Sequence, residues 1–127
     1  MVKLRDIMTR EVFTSSLDTT VAEVAKAMVK GRFGSAIIMQ GPLLLGILTE
    51  RDVLRAAASG ADPTTSLTSE WMTKHPVTAS PDMDSEEAAQ LMLSQGFRHL
   101  PVVDEETLAG IVSLRDLLSV RIRRPPA

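Results

Sequence analysis

The chain has 127 residues, with 14 basic and 16 acidic side chains, a formal net charge of −2 and no cysteine. This length suits one ordinary domain, and a hydrophobic content of 44% is sufficient for a core. The charge balance argues against a nucleic-acid-binding protein, and the lack of cysteine excludes disulfides and thiolate-ligated zinc. No apolar run approaches the ~20 residues that span a bilayer, and the first residues lack the apolar core of a signal peptide. The sequence therefore predicts a soluble, cytoplasmic protein.

The first half of the chain predicts five elements in the order strand, helix, strand, strand, helix. In the first helix, apolar side chains recur every three or four residues from Val21 to Val29. Thr20 and Glu23 are a predicted capping box at its start, and Gly31 is expected near its end. The two later strands are continuous apolar runs, which is typical of strands covered on both faces. The predicted strands are 12–15, 36–39 and 43–48, and the second helix covers about 50–59.

The second half of the chain repeats this pattern. With a constant offset of 64, residues 6–54 align with residues 70–118 without a gap, and 15 of the 49 aligned positions are identical. Such self-similarity indicates an internal duplication. The repeated elements are a strand at 77–79, a helix that ends near Gln95, strands at 100–103 and 108–112, and a helix over about 114–123.

The duplication divides the chain into a first repeat (1–59), a linker rich in turn-forming residues (60–69) and a second repeat (70–127). Each repeat has the order β-α-β-β-α, so its crossover should be right-handed and join parallel strands. One repeat alone would bury a small core, which favours two repeats packed sheet to sheet about a pseudo-two-fold axis. We therefore predict an α/β (α+β) fold. The basic tail, 121–127, is interpreted as a solvated helix end, with docking to an acidic partner as the alternative.

Both repeats carry a polar motif where a strand meets a helix, at 46–52 and 110–116. The helix N-terminus offers backbone N–H groups to an anion, and the Thr49 hydroxyl can add a hydrogen bond. Asp52 could accept hydrogen bonds from a sugar diol, as acidic residues do in dinucleotide-binding folds. The same spacing is also that of a capping box, in which the two side chains only stabilise the helix start. The equivalent pair in the second repeat is Ser113 and Asp116.

Longer strings of residues resemble the cystathionine β-synthase (CBS) domain. In the first repeat they include Asp-Ile-Met-Thr from Asp6 and Gly-Ile-Leu-Thr-Glu-Arg-Asp-Val-Leu from Gly46. The second repeat has Gly-Phe-Arg-His-Leu-Pro-Val-Val-Asp from Gly96 and Gly-Ile-Val-Ser-Leu-Arg-Asp-Leu-Leu from Gly110. The resemblance covers about residues 3–122, so a separate catalytic domain is not expected in this sequence.

This resemblance implies a tandem CBS pair, or Bateman module, which forms a homodimer and binds an adenosine-containing ligand in clefts between its repeats. The implied ligands are AMP, ADP, ATP or S-adenosylmethionine-like compounds, and whether Mg²⁺ accompanies a triphosphate stays open. The implied phosphate contacts are Thr49 and Ser113, and the implied ribose contacts are Asp52 and Asp116. The same motifs place Gly46 and Gly110 at the nucleotide sites, with Thr14 and Thr78 near the base.

Basic residues distinguish the two repeats. Arg98 and His99 occur only in the second repeat, and in some related modules a basic pair there reaches phosphates in the central cleft. The alternative is a solvent-exposed position at a strand edge. Arg51 and Arg115 either assist phosphate binding or only lie along the surface at the helix starts. Because the first repeat lacks the basic pair, we predict unequal binding at the two sites.

The sequence thus predicts a regulatory module that senses an adenosine-containing ligand, with a regulated protein as a further partner and no nucleic-acid or membrane partner. The alternative is a dimerisation or interaction scaffold without a ligand. An enzyme is not expected, because the sequence has no nucleophile–base arrangement, no Gly-rich Lys loop and no metal-ligand cluster.

Overall fold

The computed structural model describes residues 1–123, with side-chain surroundings for residues 1–120. Its first compact unit is Val12–Pro76, and its second unit combines Met1–Glu11 with the chain from Val77 onward. These units differ from the sequence repeats, because the leading segment of each repeat lies in the unit built mainly by the other repeat. The predicted solvated helix end at 121–127 depends on side chains that lie outside the described residues.

A four-stranded sheet forms the centre of the first unit. Its elements are β1 (Thr14–Ser15), α1 (Val21–Gly31), β2 (Ser35–Gln40), β3 (Leu43–Thr49), α2 (Glu50–Ala58), α3 (Thr68–Trp71) and β4 (Thr73–Lys74). The strand order is β1-β2-β3-β4, with β1 parallel to β2 and the other neighbours antiparallel. The predicted order β-α-β-β-α is confirmed in this unit. The short α3 and β4 were not predicted, and α3 includes the last two residues of the predicted linker, Thr68 and Ser69.

The apolar stripe of α1 forms the core of the first unit against the sheet. Val24 and Met28 pack with Ala36, Ile38 and Leu48, all of them buried. At the start of α1 the Thr20 hydroxyl accepts a hydrogen bond from the Glu23 backbone N–H, which is one of the two bonds of the predicted capping box. Within the described residues the reciprocal bond from the Thr20 N–H to the Glu23 side chain is not formed. The helix ends at Gly31, and Arg32 follows in the left-handed conformation.

The second unit contains a 3-10 turn at Leu4–Asp6, then α4 (Ser85–Gln95), β5 (His99–Asp104), β6 (Thr107–Ser113) and α5 (Leu114–Arg123). Strands β5 and β6 are antiparallel and form a two-stranded sheet. Its core includes Met92, Leu100 and Val112, which are buried together. No helix within residues 1–123 is long and apolar enough to cross a membrane.

The strand predicted at 77–79 is reduced to one parallel bridge between Ala79 and Val102. In the first unit the Ile37 N–H donates to the Phe13 carbonyl at 3.0 Å. The position equivalent to Ile37 is Pro101, which has no N–H and cannot make this bond. A single proline therefore shortens the pairing in the second unit.

The leading segment of the first repeat and the end of the linker before the second repeat make the same backbone contact in exchanged units. At the start of α1 the Val21 N–H donates to the Ser66 carbonyl at 2.8 Å, and at the start of α4 the Ser85 N–H donates to the Val2 carbonyl at 2.8 Å. Val2 and Ser66 are 64 residues apart, as are Val21 and Ser85. The exchanged contacts therefore follow the same offset as the sequence repeat.

Candidate functional site

Thr49 ends β3 and caps α2, so the polar motif lies at a strand–helix junction. The Thr49 N–H donates to Asp52 Oδ2 at 2.9 Å, and the Asp52 N–H donates to Thr49 Oγ1 at 3.3 Å. The Thr49 hydroxyl also donates to Asp52 Oδ2 at 3.1 Å. The structure therefore has the capping box that the sequence motif left open as one of its two interpretations.

The junction between β6 and α5 repeats this geometry. The Ser113 N–H donates to Asp116 Oδ2 at 2.8 Å, and the Asp116 N–H donates to Ser113 Oγ at 3.1 Å. Asp116 is half-buried, whereas Asp52 is buried. Both carboxylates thus hold one oxygen on their own helix start, which leaves Oδ1 as the atom that decides what else each can bind.

The N-termini of α2 and α5 have less capacity for an anion than the sequence suggested. The Glu50 N–H donates to the Gly34 carbonyl at 3.2 Å, and the Leu114 N–H donates to the Arg98 carbonyl at 2.9 Å. The third N–H of each helix, on Asp52 or Asp116, donates to the cap hydroxyl. Within the described residues, this leaves the second N–H, on Arg51 or Arg115, available to an anion. Both arginine side chains are exposed.

The two aspartates differ in what reaches Oδ1. Arg55 Nη1 donates to Asp52 Oδ1 at 2.9 Å, and the Asp52 side chain is only 7% exposed. The Arg55 guanidinium also lies 5.7 Å from the centre of the Trp71 ring, a cation–π contact. Neither contact of Arg55 was predicted from the sequence. The spacing of Asp52 and Arg55 could have suggested the ion pair, whereas Trp71 is distant in the chain and gave no signal.

The second unit has no arginine at the equivalent place. Ser119 stands where Arg55 does, and its hydroxyl donates to the Arg115 carbonyl at 3.0 Å rather than to Asp116. Ile7 stands where Trp71 does. Within residues 1–120, no side chain donates a hydrogen bond to Asp116 Oδ1.

The basic pair of the second unit lies beside the Asp116 junction. His99 begins β5 and is paired in register with Ser113 on β6, and the preceding Arg98 is exposed. Backbone bonding of Arg98 to Leu114 at the start of α5 brings this pair to the same end of the sheet as Ser113 and Asp116. The equivalent position in the first unit holds Ser35, paired with Thr49.

Thr14 and Thr78 are exposed at equivalent positions, Thr14 in β1 and Thr78 beside the Ala79 bridge. Next to Thr14, the Phe13 ring stacks on the Phe33 ring with centroids 5.1 Å apart. Val77 replaces Phe13 in the second repeat. The surroundings of the two threonines are therefore more aromatic in the first unit.

Gly46 and Gly110 have a structural reason to be glycine. A Cβ on Gly46 would lie 2.6 Å from the Met72 sulfur and 2.8 Å from the Thr73 carbonyl oxygen. A Cβ on Gly110 would meet the equivalent atoms of Met8 and Thr9 at 2.8 and 2.7 Å. Each glycine thus admits the leading segment of the other repeat.

Within the described residues there is no group of three or more His, Asp or Glu side chains arranged to hold a metal ion. The junctions offer carboxylate and hydroxyl oxygens, one helix N–H each and, in the second unit, a basic pair. These groups suit the recognition of a polyhydroxylated, anionic small molecule.

The chain is similar in sequence to known proteins. The sequence model of the CBS domain matches the chain twice, at residues 4–59 and 68–123. The CBS domain-containing protein YhcV of Bacillus subtilis is 40% identical over 118 residues, which cover 92% of this chain and 84% of that protein.

Solved structures with the same fold include two in complex with adenosine compounds. A CBS domain protein from Pyrobaculum aerophilum complexed with AMP has a TM-score of 0.83 and 26% identity, covering 91% of this chain and 89% of that chain. The CBS domain pair of protein MJ0100, in complex with 5′-methylthioadenosine and S-adenosyl-L-methionine, has a TM-score of 0.86 and 26% identity, covering 94% of each chain. With two family matches that together span most of its length, this chain belongs to the CBS domain family and contains two CBS domains.

Proposed function

We propose that this protein is a regulatory, non-catalytic module that binds an adenosine-containing ligand at the strand–helix junctions of its CBS domains. The observation that carries the proposal is the duplicated carboxylate, Asp52 and Asp116, each held at a helix start by the same cap. The complexes of related CBS proteins with AMP, 5′-methylthioadenosine and S-adenosyl-L-methionine support the ligand class.

Asp116 binds the ribose of the ligand in this proposal. Its Oδ1 accepts hydrogen bonds from the two ribose hydroxyls while Oδ2 stays on the Ser113 N–H. Bonds to a carboxylate are charge-assisted and therefore stronger than bonds between neutral groups. The exposed side chain of Thr78 lies near the base, as Thr14 does in the first unit.

The phosphates, when the ligand has them, bind near the basic pair of the second unit. The Arg98 guanidinium can donate two parallel hydrogen bonds to a phosphate, and the Arg115 N–H at the start of α5 adds a third donor. The first unit lacks the basic pair, so AMP, ADP and ATP gain more from the second unit than a ligand without phosphate does. Mg²⁺ with ATP is tested by titrations with and without the ion.

Self-association is the second part of the proposal. Each unit exposes apolar side chains at equivalent positions of its helices, and such residues are candidates for an interface in a homodimer. They are Val29 and Leu54 in the first unit, and Leu93 and Leu118 in the second unit, with exposures from 54% to 81%. Ligand binding would shift the population of conformations of such a dimer, which a regulated protein could recognise.

The alternative function is a scaffold that binds no ligand. It is favoured by one observation, namely that the capping boxes satisfy Thr49 and Asp52 without any ligand. The two functions differ in a single measurable property, the affinity for adenosine compounds.

The test is calorimetric titration with AMP, ADP, ATP and S-adenosylmethionine. Wild type should bind at least one of them, and the double variant Asp52→Asn, Asp116→Asn should bind it roughly 10- to 150-fold more weakly, as expected for loss of a charge-assisted bond. Asparagine keeps an oxygen for the cap. Asp104→Asn, on an exposed hairpin, makes the same charge change away from the junctions and should bind as wild type does. Silence from all four ligands at millimolar concentration would refute the sensor and favour the scaffold.

A further inference from the structure

Two residues near Asp52 are both replaced by residues of different chemistry at the equivalent positions near Asp116. At Asp52 the Arg55 side chain contacts both the carboxylate and a tryptophan. Arg55 Nη1 lies 2.9 Å from Asp52 Oδ1, and the guanidinium lies 5.7 Å from the centre of the Trp71 ring. At Asp116 the same two positions hold Ser119 and Ile7. The duplication therefore provides an internal comparison of one site with and without an arginine.

We propose that Arg55 is a built-in competitor for the ribose at Asp52, so that the site of the second unit fills before the site of the first unit. This inference rests on the proposed function, since it concerns the same carboxylates. It assigns Arg55 and Trp71 as the residues that make the two sites unequal, in addition to the basic pair.

The competition follows from the number of acceptor sites on Asp52. Oδ2 already accepts the N–H and the hydroxyl of Thr49. A ribose must therefore bind at Oδ1, where the Arg55 guanidinium donates. The arginine has to leave or share this oxygen, and its contact with the Trp71 ring has to change as well. At Asp116 a ribose meets no such competitor among residues 1–120.

The size of the effect is limited by the exposure of Arg55, whose side chain is 58% exposed. An ion pair whose arginine is exposed, together with a cation–π contact of the same arginine, opposes ribose binding by a factor of roughly three to ten. This is small enough to preserve binding at the first site and large enough to separate two binding events in a titration.

The experiment measures each site alone and exchanges the arginine between them. Asp116→Asn leaves the first site and Asp52→Asn leaves the second site, both titrated with AMP by calorimetry. In the first background, Arg55→Ser should strengthen binding roughly three- to tenfold, and in the second background, Ser119→Arg should weaken it. Circular dichroism and thermal unfolding of each variant check that it is folded. If Arg55→Ser weakens binding or leaves it unchanged, the inference is wrong, while binding by wild type still supports the proposed function.

A second measurement uses adenosine, which has no charge and so does not itself respond to salt. Added salt screens the Arg55–Asp52 pair, so in the Asp116→Asn background adenosine should bind the first site more tightly at high ionic strength. The further change Arg55→Ser should abolish this salt dependence. Trp71 is the one tryptophan of the sequence, and its fluorescence should change as ligand displaces the guanidinium. A merely structural Arg55 would give neither the salt dependence nor its loss in the variant. Failure of adenosine and of all four ligands of the first titration (AMP, ADP, ATP and S-adenosylmethionine) to bind wild type would instead refute the proposed function.

Discussion

The sulfur of Met72 lies where a side chain on Gly46 would have to go, 2.6 Å from an ideal Cβ at that glycine. Met8 stands in the same relation to Gly110, at 2.8 Å. In both units the glycine lies on the strand that carries the polar motif, β3 or β6, and the methionine belongs to the leading segment of the other repeat. The packing of this segment and the position of the motif are therefore coupled.

The first prediction concerns these glycines. Gly46→Ala and Gly110→Ala should each lower the free energy of unfolding by about 1–3 kcal/mol, because the backbone carbonyl of Thr73 or Thr9 cannot move aside as a side chain can. Urea denaturation followed by circular dichroism measures this. Adding Met72→Ala to Gly46→Ala should recover only part of the loss. Full stability in the single variants would show that the segments do not pack closely in solution.

The second prediction concerns Ile37 and Pro101. Ile37→Pro removes the bond to the Phe13 carbonyl and should destabilise the first unit by about 1–3 kcal/mol, since the carbonyl loses its donor and the proline ring replaces a fully buried side chain. Pro101→Ile is the matched change, and it should create an N–H that pairs with the Val77 carbonyl. Amide hydrogen exchange by NMR would then show a protected N–H at residue 101. Rapid exchange at that position would mean that proline is not what shortens the strand.

The third prediction concerns Asp82, whose pKa is lowered from its ordinary 3.8 by a hydrogen bond and charge attraction from Arg5, with a smaller contribution from Lys3. Because the pKa in the folded protein lies below that in the unfolded chain, the stabilisation is present above about pH 3.8 and is lost as pH falls through the folded pKa.

Asp82→Asn should therefore be less stable than wild type at neutral pH and equal to it at the acid end of the titration. Thermal unfolding across this pH range measures the difference. Since Arg5 and Lys3 lie in the leading segment, the N–H groups of residues 4 and 5 should exchange faster in the variant. A stability difference that is independent of pH would contradict the assignment.

The fourth prediction concerns self-association. Leu54→Glu together with Leu118→Glu places charges on exposed apolar positions of α2 and α5, and should shift the protein toward monomer if these helices form the interface. Light scattering after size-exclusion chromatography measures the mass. Leu43→Glu, an exposed leucine at a hairpin, is the matched control and should leave the mass unchanged. An unchanged mass in the double variant would exclude this surface from the interface.

The order of elements was predictable because its signals are local. The apolar spacing of α1, the turns before β3 and β6, and the caps at Thr49 and Ser113 all depend on residues within a few positions of one another. The strand at 77–79 was predicted too long, because its apolar pattern does not show that Pro101, its pairing partner, lacks a backbone N–H to donate. The identity of the site residues as ribose or phosphate ligands stays a prediction.

The sequence by itself determined the duplication, the β-α-β-β-α order of the first unit, the membership of the CBS domain family and the two helix caps. Only the tertiary structure decided which unit contains each leading segment, why Gly46 and Gly110 are glycines, and that Arg55 reaches both Asp52 and Trp71. The physical reason is chain separation. Caps and helical stripes form between near neighbours, whereas the exchanged segments and the Arg55–Trp71 contact depend on residues brought together only by the packing of the core.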